Sequence, residues 1–133
     1  MPEKATLERA KADLRAGKSP STAAGEFVRE EIEHVREGKH GARSPEQAIA
    51  IGLSKARRAG IPLKPPKKGQ AKKRTRRAAQ RAYEAGQGKR KARAPSRKRS
   101  KAVSRTLKRE PKSTVSRGAL SRHAKRVARK RST

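Results

Sequence analysis

The residues of this chain that could do chemistry are the lysines and arginines of its second half. Residues 64–133 contain 28 Lys and Arg but only two acids, Glu84 and Glu110, and therefore carry a net charge of +26. Residues 1–63 contain 12 basic residues and nine acids, a net charge of only +3. A compact fold with so dense a charge of one sign requires a polyanion to neutralise it. We expect a partner rich in phosphate, and nucleic acid is the first candidate.

The binding mechanism would be counterion release. Each phosphate that is neutralised frees condensed cations, which gives a log–log salt slope of about −0.9 per contact on duplex DNA. The predicted nucleic-acid-binding residues are Lys67, Lys68, Lys72, Lys73, Arg74, Arg76, Arg77, Arg81, Lys89, Arg90, Lys91, Arg93, Arg97, Lys98, Arg99, Lys101, Arg105, Lys125, Arg126, Arg129, Lys130 and Arg131.

Catalysis and metal binding are not predicted. Cysteine is absent, so the chain has no thiol nucleophile and no cysteine-based zinc site. His34 and His40 are six residues apart, beyond the i, i+4 spacing that directs two side chains of one helix at one ion, and His123 lies in the basic second half. The sequence contains no nucleophile–base arrangement and no glycine-rich phosphate loop after a strand. We expect a non-enzymatic protein without a cofactor or a metal.

Base-specific recognition is poorly supported. Phe27 and Tyr83 are the only aromatic residues, so the stacking platforms that bind single-stranded RNA are missing. The predicted loop between the second and third helices is longer than the tight turn of a helix-turn-helix motif. We therefore expect largely sequence-nonspecific binding, with DNA favoured over RNA. Two alternatives stay open: an RNA- or ribosome-associated basic protein, and a protein-interaction module with an electrostatic tether.

Three helices are predicted in residues 1–63. Leu7, Ala10 and Leu14 lie on one face of a short first helix, which Gly17 would end.

The second and third helices have clearer boundary signals. Ser19 is placed to be an N-cap with proline next to it, and Gly38 is a natural stop. The run Ser44-Pro45-Glu46-Gln47 is a capping box, and Gly60 would end the third helix.

These two helices are predicted to form an antiparallel hairpin. Gly52 and Ala56 give the third helix a face of small residues that can approach the apolar stripe Phe27–Val35. This small helical module is where we expect a homodimer contact or a protein partner.

The second half is predicted to be disordered until it binds. Its six large apolar residues are scattered over 70 positions, which is too few to offset about 1–2 kcal/mol per residue of backbone ordering entropy. Only transient helices are expected, over residues 71–85 and 116–130. The fold class is thus mostly α, with a helical module over residues 1–63 and a disordered polycationic tail over residues 64–133.

Membranes are a less favoured partner. Anionic lipid attracts polybasic segments, but stable attachment also needs an apolar face or a lipid anchor. Neither is visible, and the N-terminus lacks the apolar run of a signal peptide. We expect no stable membrane association, and a cytoplasmic protein located at the nucleoid.

Two resemblances add to these expectations. The segments EFVREE (residues 26–31), HGARS (residues 40–44) and ARRAG (residues 56–60) resemble a family of short basic bacterial proteins that is defined by a domain of unknown function. This resemblance covers residues 19–66 and implies a bacterial, cytoplasmic protein without an established activity. In composition alone, the second half resembles the tails of linker-histone-like bacterial proteins, although it has more Arg (15) than Lys (13).

Overall fold

The computed structural model describes residues 4–89 and 96–132, and these residues are mostly helical. The elements are α1 (Lys4–Arg15), α2 (Pro20–Glu37), α3 (Pro45–Arg58), α4 (Lys73–Gly86), α5 (Arg97–Arg109), a 3₁₀ turn (Lys112–Val115) and α6 (Arg117–Ser132).

Side-chain caps set the starts of α2 and α3. Ser19 Oγ accepts a hydrogen bond from the Thr22 amide at 3.2 Å, and Ser44 Oγ accepts one from the Gln47 amide at 3.1 Å. Gln47 Oε1 in turn accepts a hydrogen bond from the amide of Arg43 at 2.6 Å. In a standard capping box this side chain would accept from the amide of the N-cap itself, which is one residue later, at Ser44. These bonds satisfy amides that have no partner within the helix, so local sequence fixes both helix starts.

The predicted disorder of residues 64–133 is wrong, because α4, α5 and α6 make most of the described part of this segment helical. The prediction counted only large apolar residues. Ala, Lys and Arg are strong helix formers, and in α4 their spacing places alanines on one face and cations on the other. In α4 the alanine face is buried, with Ala79 and Ala82 only 8% and 2% exposed.

The chain forms two compact units. The first is made of described residues within Met1–Glu30 and Ile51–Ala94, and the second of those within Glu31–Ala50 and Pro95–Thr133. Each unit therefore combines segments that are distant in sequence, and the division falls within α2 and within α3.

The core of the first unit is built around one aromatic residue. Its buried residues are Ala10, Ala23, Ala24, Phe27, Ala56 and Ile61, with Leu7, Leu14, Leu53, Ala59 and Leu63 packed against them. Gly52 marks the close approach of α3 to α2, since a Cβ there would lie 2.6 Å from Cα of Val28. Alanine and glycine let helices of a chain with few large side chains pack closely.

Arg57 holds the segment that follows α3. Its Nε donates to the carbonyl of Leu63 at 3.1 Å, and its Nη2 donates to that of Lys64 at 3.3 Å. The residue is only 7% exposed. A Cβ on Gly86 would overlap the carbonyl oxygen of Arg57, so the end of α4 packs on the end of α3. Arg57 thus serves the fold of this unit.

The second unit has a smaller core. Val35, Ala42, Ala48 and Val115 are all buried, and Ile32 packs against them. Arg36 Nε donates to the Val115 carbonyl at 3.4 Å.

The loop between α2 and α3 also contacts α5 within the second unit. A Cβ at Gly41 would overlap the carbonyl oxygen of Leu107, so the last turns of α5 lie directly on this loop. In the part of the chain that is described, no helix combines the length and the apolar character needed to cross a membrane.

A buried alanine of α4 provides a test of this fold without nucleic acid. We expect Ala82→Gln to lower the free energy of unfolding by about 1–3 kcal/mol, because the larger polar side chain must enter a packed face. Ala78→Gln, at an exposed position of the same helix, should change it by no more than about 0.5 kcal/mol. Urea unfolding followed by far-UV circular dichroism measures both, and equal effects would contradict a packed α4 in the free protein.

A glycine pair provides a second test, on the contact between α2 and α3. We expect Gly52→Ala to destabilise the protein by about 1–3 kcal/mol, since the new methyl group has no room beside Val28. Gly25→Ala is the matched control, because a Cβ there meets nothing within 4 Å and should stabilise α2 by up to about 1 kcal/mol. Thermal unfolding compares the two, and a neutral Gly52→Ala would show that the helices are not in close contact.

Candidate nucleic-acid interface

The first cationic surface lies on α4. Lys73, Arg77 and Arg81 are spaced at i, i+4 and i+8, and Arg74 lies beside them within an arc of about 100°. All four side chains are exposed, on the face opposite the buried alanines. Arg76 differs, because it is half-buried and lines a shallow depression together with Pro65 and Pro66.

The densest cationic surface lies on α5. Seven of its 13 residues are Lys or Arg, none is acidic, and none of its residues is buried. The cations that share one face, within an arc of about 120°, are Arg97, Lys98, Lys101, Arg105, Lys108 and Arg109. Ser96 caps the helix, since its Oγ accepts from the Arg99 amide at 3.2 Å. The face is therefore held on a defined helix of about 20 Å.

The third cationic surface lies on α6. Arg122, Lys125, Arg126 and Arg129 are spaced at i, i+3, i+4 and i+7, and together they line a shallow basic groove. Converging guanidinium and ammonium groups of this kind provide the donors that phosphate oxygens accept.

One acid faces this helix. Glu46, in the first turn of α3, accepts hydrogen bonds at Oε1 from His123 Nδ1 at 2.8 Å and from Arg126 Nη2 at 3.3 Å. The pKa of Glu46 lies below its ordinary value of 4.5, first because its own backbone amide hydrogen-bonds to the carboxylate and second because His123 does. The N-terminal end of the α3 dipole also suits a negative charge.

The structure distributes the predicted residues over all three helices and the segments that flank α4. Lys67, Lys68 and Lys72 precede α4, and Lys89 follows it. Arg90, Lys91 and Arg93 lie outside the described residues, as does the side chain of Arg131. With the exception of Arg76, the predicted residues whose side chains are described are exposed.

The sequence prediction missed several members of these surfaces. Lys108 and Arg109 belong to the α5 face, and Arg122 belongs to the α6 groove. The signal that could have found them is the recurrence of cations every three or four residues, which places them on the same side of a helix as the cations that were predicted.

A separate cluster lies in the second unit. Glu31, His34 and His40 are the one group of possible metal ligands found among the described residues. The spacing argument treated the two histidines as members of one continuous helix. However, α2 ends at Glu37, and the turn at Gly38, with a φ of 79°, brings His40 to the side of α2 that carries the other two residues.

The Glu46 contacts predict a dependence of stability on pH. A folded-state pKa below the unfolded one stabilises the fold above pH 4.5, and this contribution is lost as the pH falls through the folded value. We expect Glu46→Gln to reduce stability at pH 7 by about 0.5 kcal/mol, a small amount because the pair is half-exposed and screened. The deficit should be smaller at pH 3 than at pH 7, because protonation progressively removes the carboxylate charge.

Urea unfolding at the two pH values measures this difference. Glu8→Gln is the control, because it removes the same charge from an exposed position on α1. A Glu46→Gln deficit that persists in acid would show that the carboxylate charge is not its cause.

Comparison with known proteins found no relative of this chain. No protein-family model matches the chain, and no curated protein or solved structure matches it either. The resemblance of residues 19–66 to short basic bacterial proteins, and the compositional likeness to linker-histone-like tails, stay predictions.

Proposed function

We propose that this protein binds duplex DNA without sequence preference, through the exposed cationic faces of α4, α5 and α6, as a non-enzymatic, nucleoid-associated protein of the cytoplasm. The observation that carries the proposal is the α5 face, where six cations share about a third of the helix circumference without an acid in the helix. The positive charges of this face repel one another, and binding to DNA phosphates would remove that repulsion. The same binding would release the counterions condensed on the DNA, which also favours the complex.

A duplex is favoured over a single strand because the aromatic residues are not available as stacking platforms. Phe27 is fully buried in the first unit, and Tyr83 is half-buried on α4. The sequence contains no other aromatic side chain except histidine. Proteins that bind single strands commonly stack bases on exposed aromatic rings.

DNA is favoured over RNA by the shape of the cationic elements. An α-helix with its side chains is about 10–12 Å across, and the major groove of B-DNA is about 12 Å wide. The corresponding groove of A-form RNA is deep and too narrow for side chains to read. Since α5 buries none of its residues, it is the helix best suited to lie along or within a DNA groove.

The side chains of α5 and α6 also favour nonspecific binding. Asn and Gln, which make bidentate contacts with adenine, are absent from both helices. Their polar surface is dominated by Lys and Arg, and most contacts of such residues with DNA are made to phosphate and sugar. Affinity would then come from the number of phosphates contacted.

Charge-neutralising variants test the α5 face. We expect the triple variant Lys101→Gln, Arg105→Gln and Lys108→Gln to bind duplex DNA roughly 100-fold more weakly at 0.1 M salt. Its log–log salt slope should become shallower by about 2–3, because three phosphate contacts are lost. Fluorescence anisotropy with full-length protein, over a salt series and with duplexes of unrelated sequence, measures both quantities.

The control removes the same charge from another helix. The variant Lys4→Gln, Lys11→Gln and Arg15→Gln changes three exposed cations of α1, where acids are interspersed, and should leave the slope almost unchanged. Equal losses in the two triple variants would mean that net charge alone is responsible, which would overturn the assignment to the α5 face. Tighter binding to a matched RNA duplex would favour an RNA- or ribosome-associated role. A shallow slope for the unmodified protein would favour a protein-interaction module.

A further inference from the structure

The carboxylate of Glu31 lies between two imidazole rings in the second unit. Glu31 and His34 are three residues apart on α2, so their side chains share one face of the helix. His40 belongs to the loop after α2 and approaches the same carboxylate from beyond the helix end. The chain thus brings together one oxygen donor and two nitrogen donors.

The donor atoms are close enough to share an ion. His40 Nε2 lies 2.9 Å from Glu31 Oε2, and His34 Nδ1 lies 4.0 Å from Glu31 Oε1. One ligand atom from each residue falls within 4.8 Å of the other two. The two rings are 5.8 Å apart and nearly perpendicular, at 87°.

The hydrogen bond of His40 determines which of its nitrogens is the donor to an ion. His40 Nδ1 lies 3.1 Å from the carbonyl oxygen of Gly41, which can only accept, so Nδ1 carries the proton of this bond. In the neutral ring, the lone pair on Nε2 then faces a carboxylate oxygen at 2.9 Å. Two such acceptors require a cation between them, either a proton or a metal ion. A backbone carbonyl that orients the other ring nitrogen is typical of metal-binding histidines.

The surroundings of Glu31 also favour a cation. Its side chain is fully buried, while those of His34 and His40 are 13% and 25% exposed, so the cluster reaches the surface through its histidines. A buried carboxylate is costly unless it is paired or coordinates a metal. In addition, α2 contains five acids against two arginines, which lowers the local repulsion of a divalent cation in a chain of charge +29.

We propose that Glu31, His34 and His40 form a binding site for one divalent transition-metal ion, with Zn²⁺ as the best match. Zinc binds imidazole nitrogen and carboxylate oxygen at about 2.0–2.2 Å, which sets tetrahedral donors about 3.4 Å apart. The separations of 2.9 Å and 4.0 Å, each to a different oxygen of Glu31, lie on either side of this value. Three protein ligands leave the fourth position to water or another ligand. Mg²⁺ and Ca²⁺ prefer oxygen donors and do not suit the two imidazoles.

A bound ion would fasten the loop after α2 to the helix itself. This loop also contains Gly41, which contacts the end of α5 at Leu107. Zinc should therefore stabilise the second unit as well as occupy the site. The inference does not depend on the proposed DNA binding, because neither the three ligands nor the readouts below involve the cationic faces.

Zinc titration of full-length, chelator-treated protein tests the site. The chelator must be removed in high salt, because an anionic chelator would otherwise remain on the basic helices. We expect one Zn²⁺ per chain by isothermal titration calorimetry, no competition from Mg²⁺, and a rise of several degrees in the thermal midpoint with excess zinc. Co²⁺ should give the visible absorption of a tetrahedral nitrogen–oxygen site, a readout that needs no variant.

Histidine variants then assign the ligands. His34→Gln and His40→Gln should each weaken zinc binding by at least about 10-fold, the loss that follows removal of even an outer-shell partner. His123→Gln is the matched control, because His123 pairs with the half-exposed Glu46, lies outside the cluster and should leave zinc affinity unchanged. Absence of stoichiometric binding to the unmodified protein would overturn the proposal, as would an equal loss in His123→Gln.

Discussion

Close packing through small residues, with cations kept on exposed helix faces, is the constraint on which this structure depends. In α4, Lys73, Arg77 and Arg81 lie opposite Ala79 and Ala82, so one face meets solvent while the other packs. Alanine adds little volume, and helices that pack through it come close together. The contacts at Gly41, Gly52 and Gly86, each within one unit, leave no room even for a methyl group. A chain with few large apolar residues builds a core by bringing backbones together.

The helices of the first half of the chain could be predicted from local sequence signals, and the stable helices of the second half could not. Ser19 and Ser44 act directly on neighbouring amides, so the starts of α2 and α3 follow from short stretches of sequence. By contrast, α4 depends on Ala79 and Ala82, whose burial is decided by residues distant in sequence. A count of large apolar side chains takes no account of alanine, and it therefore predicted disorder where α4 to α6 are found.

The candidate sites also differ in how much of each could be predicted from the sequence. Composition was enough to identify most of the cations, but assigning Lys108 and Arg109 to a shared face required knowing that α5 is a helix. The cluster of Glu31, His34 and His40 required knowledge of how the chain turns after α2. Spacing along one helix cannot show this, because a left-handed glycine at position 38 changes the direction of the backbone. Chemistry that spans a helix end is thus harder to predict than chemistry on one face.

The buried contacts of Val115 have a consequence for the order in which the protein folds. Val115 completes a cluster with Val35, Ala42 and Ala48, residues that lie roughly 70–80 positions earlier in the chain. During synthesis, at a rate of about 5–20 residues per second, this cluster stays open until residue 115 has been made. Contacts of such high sequence separation form late and slowly, because a long loop must be closed first. The core of the second unit is therefore a product of late folding events, because Val115 must leave the ribosome before this core can close.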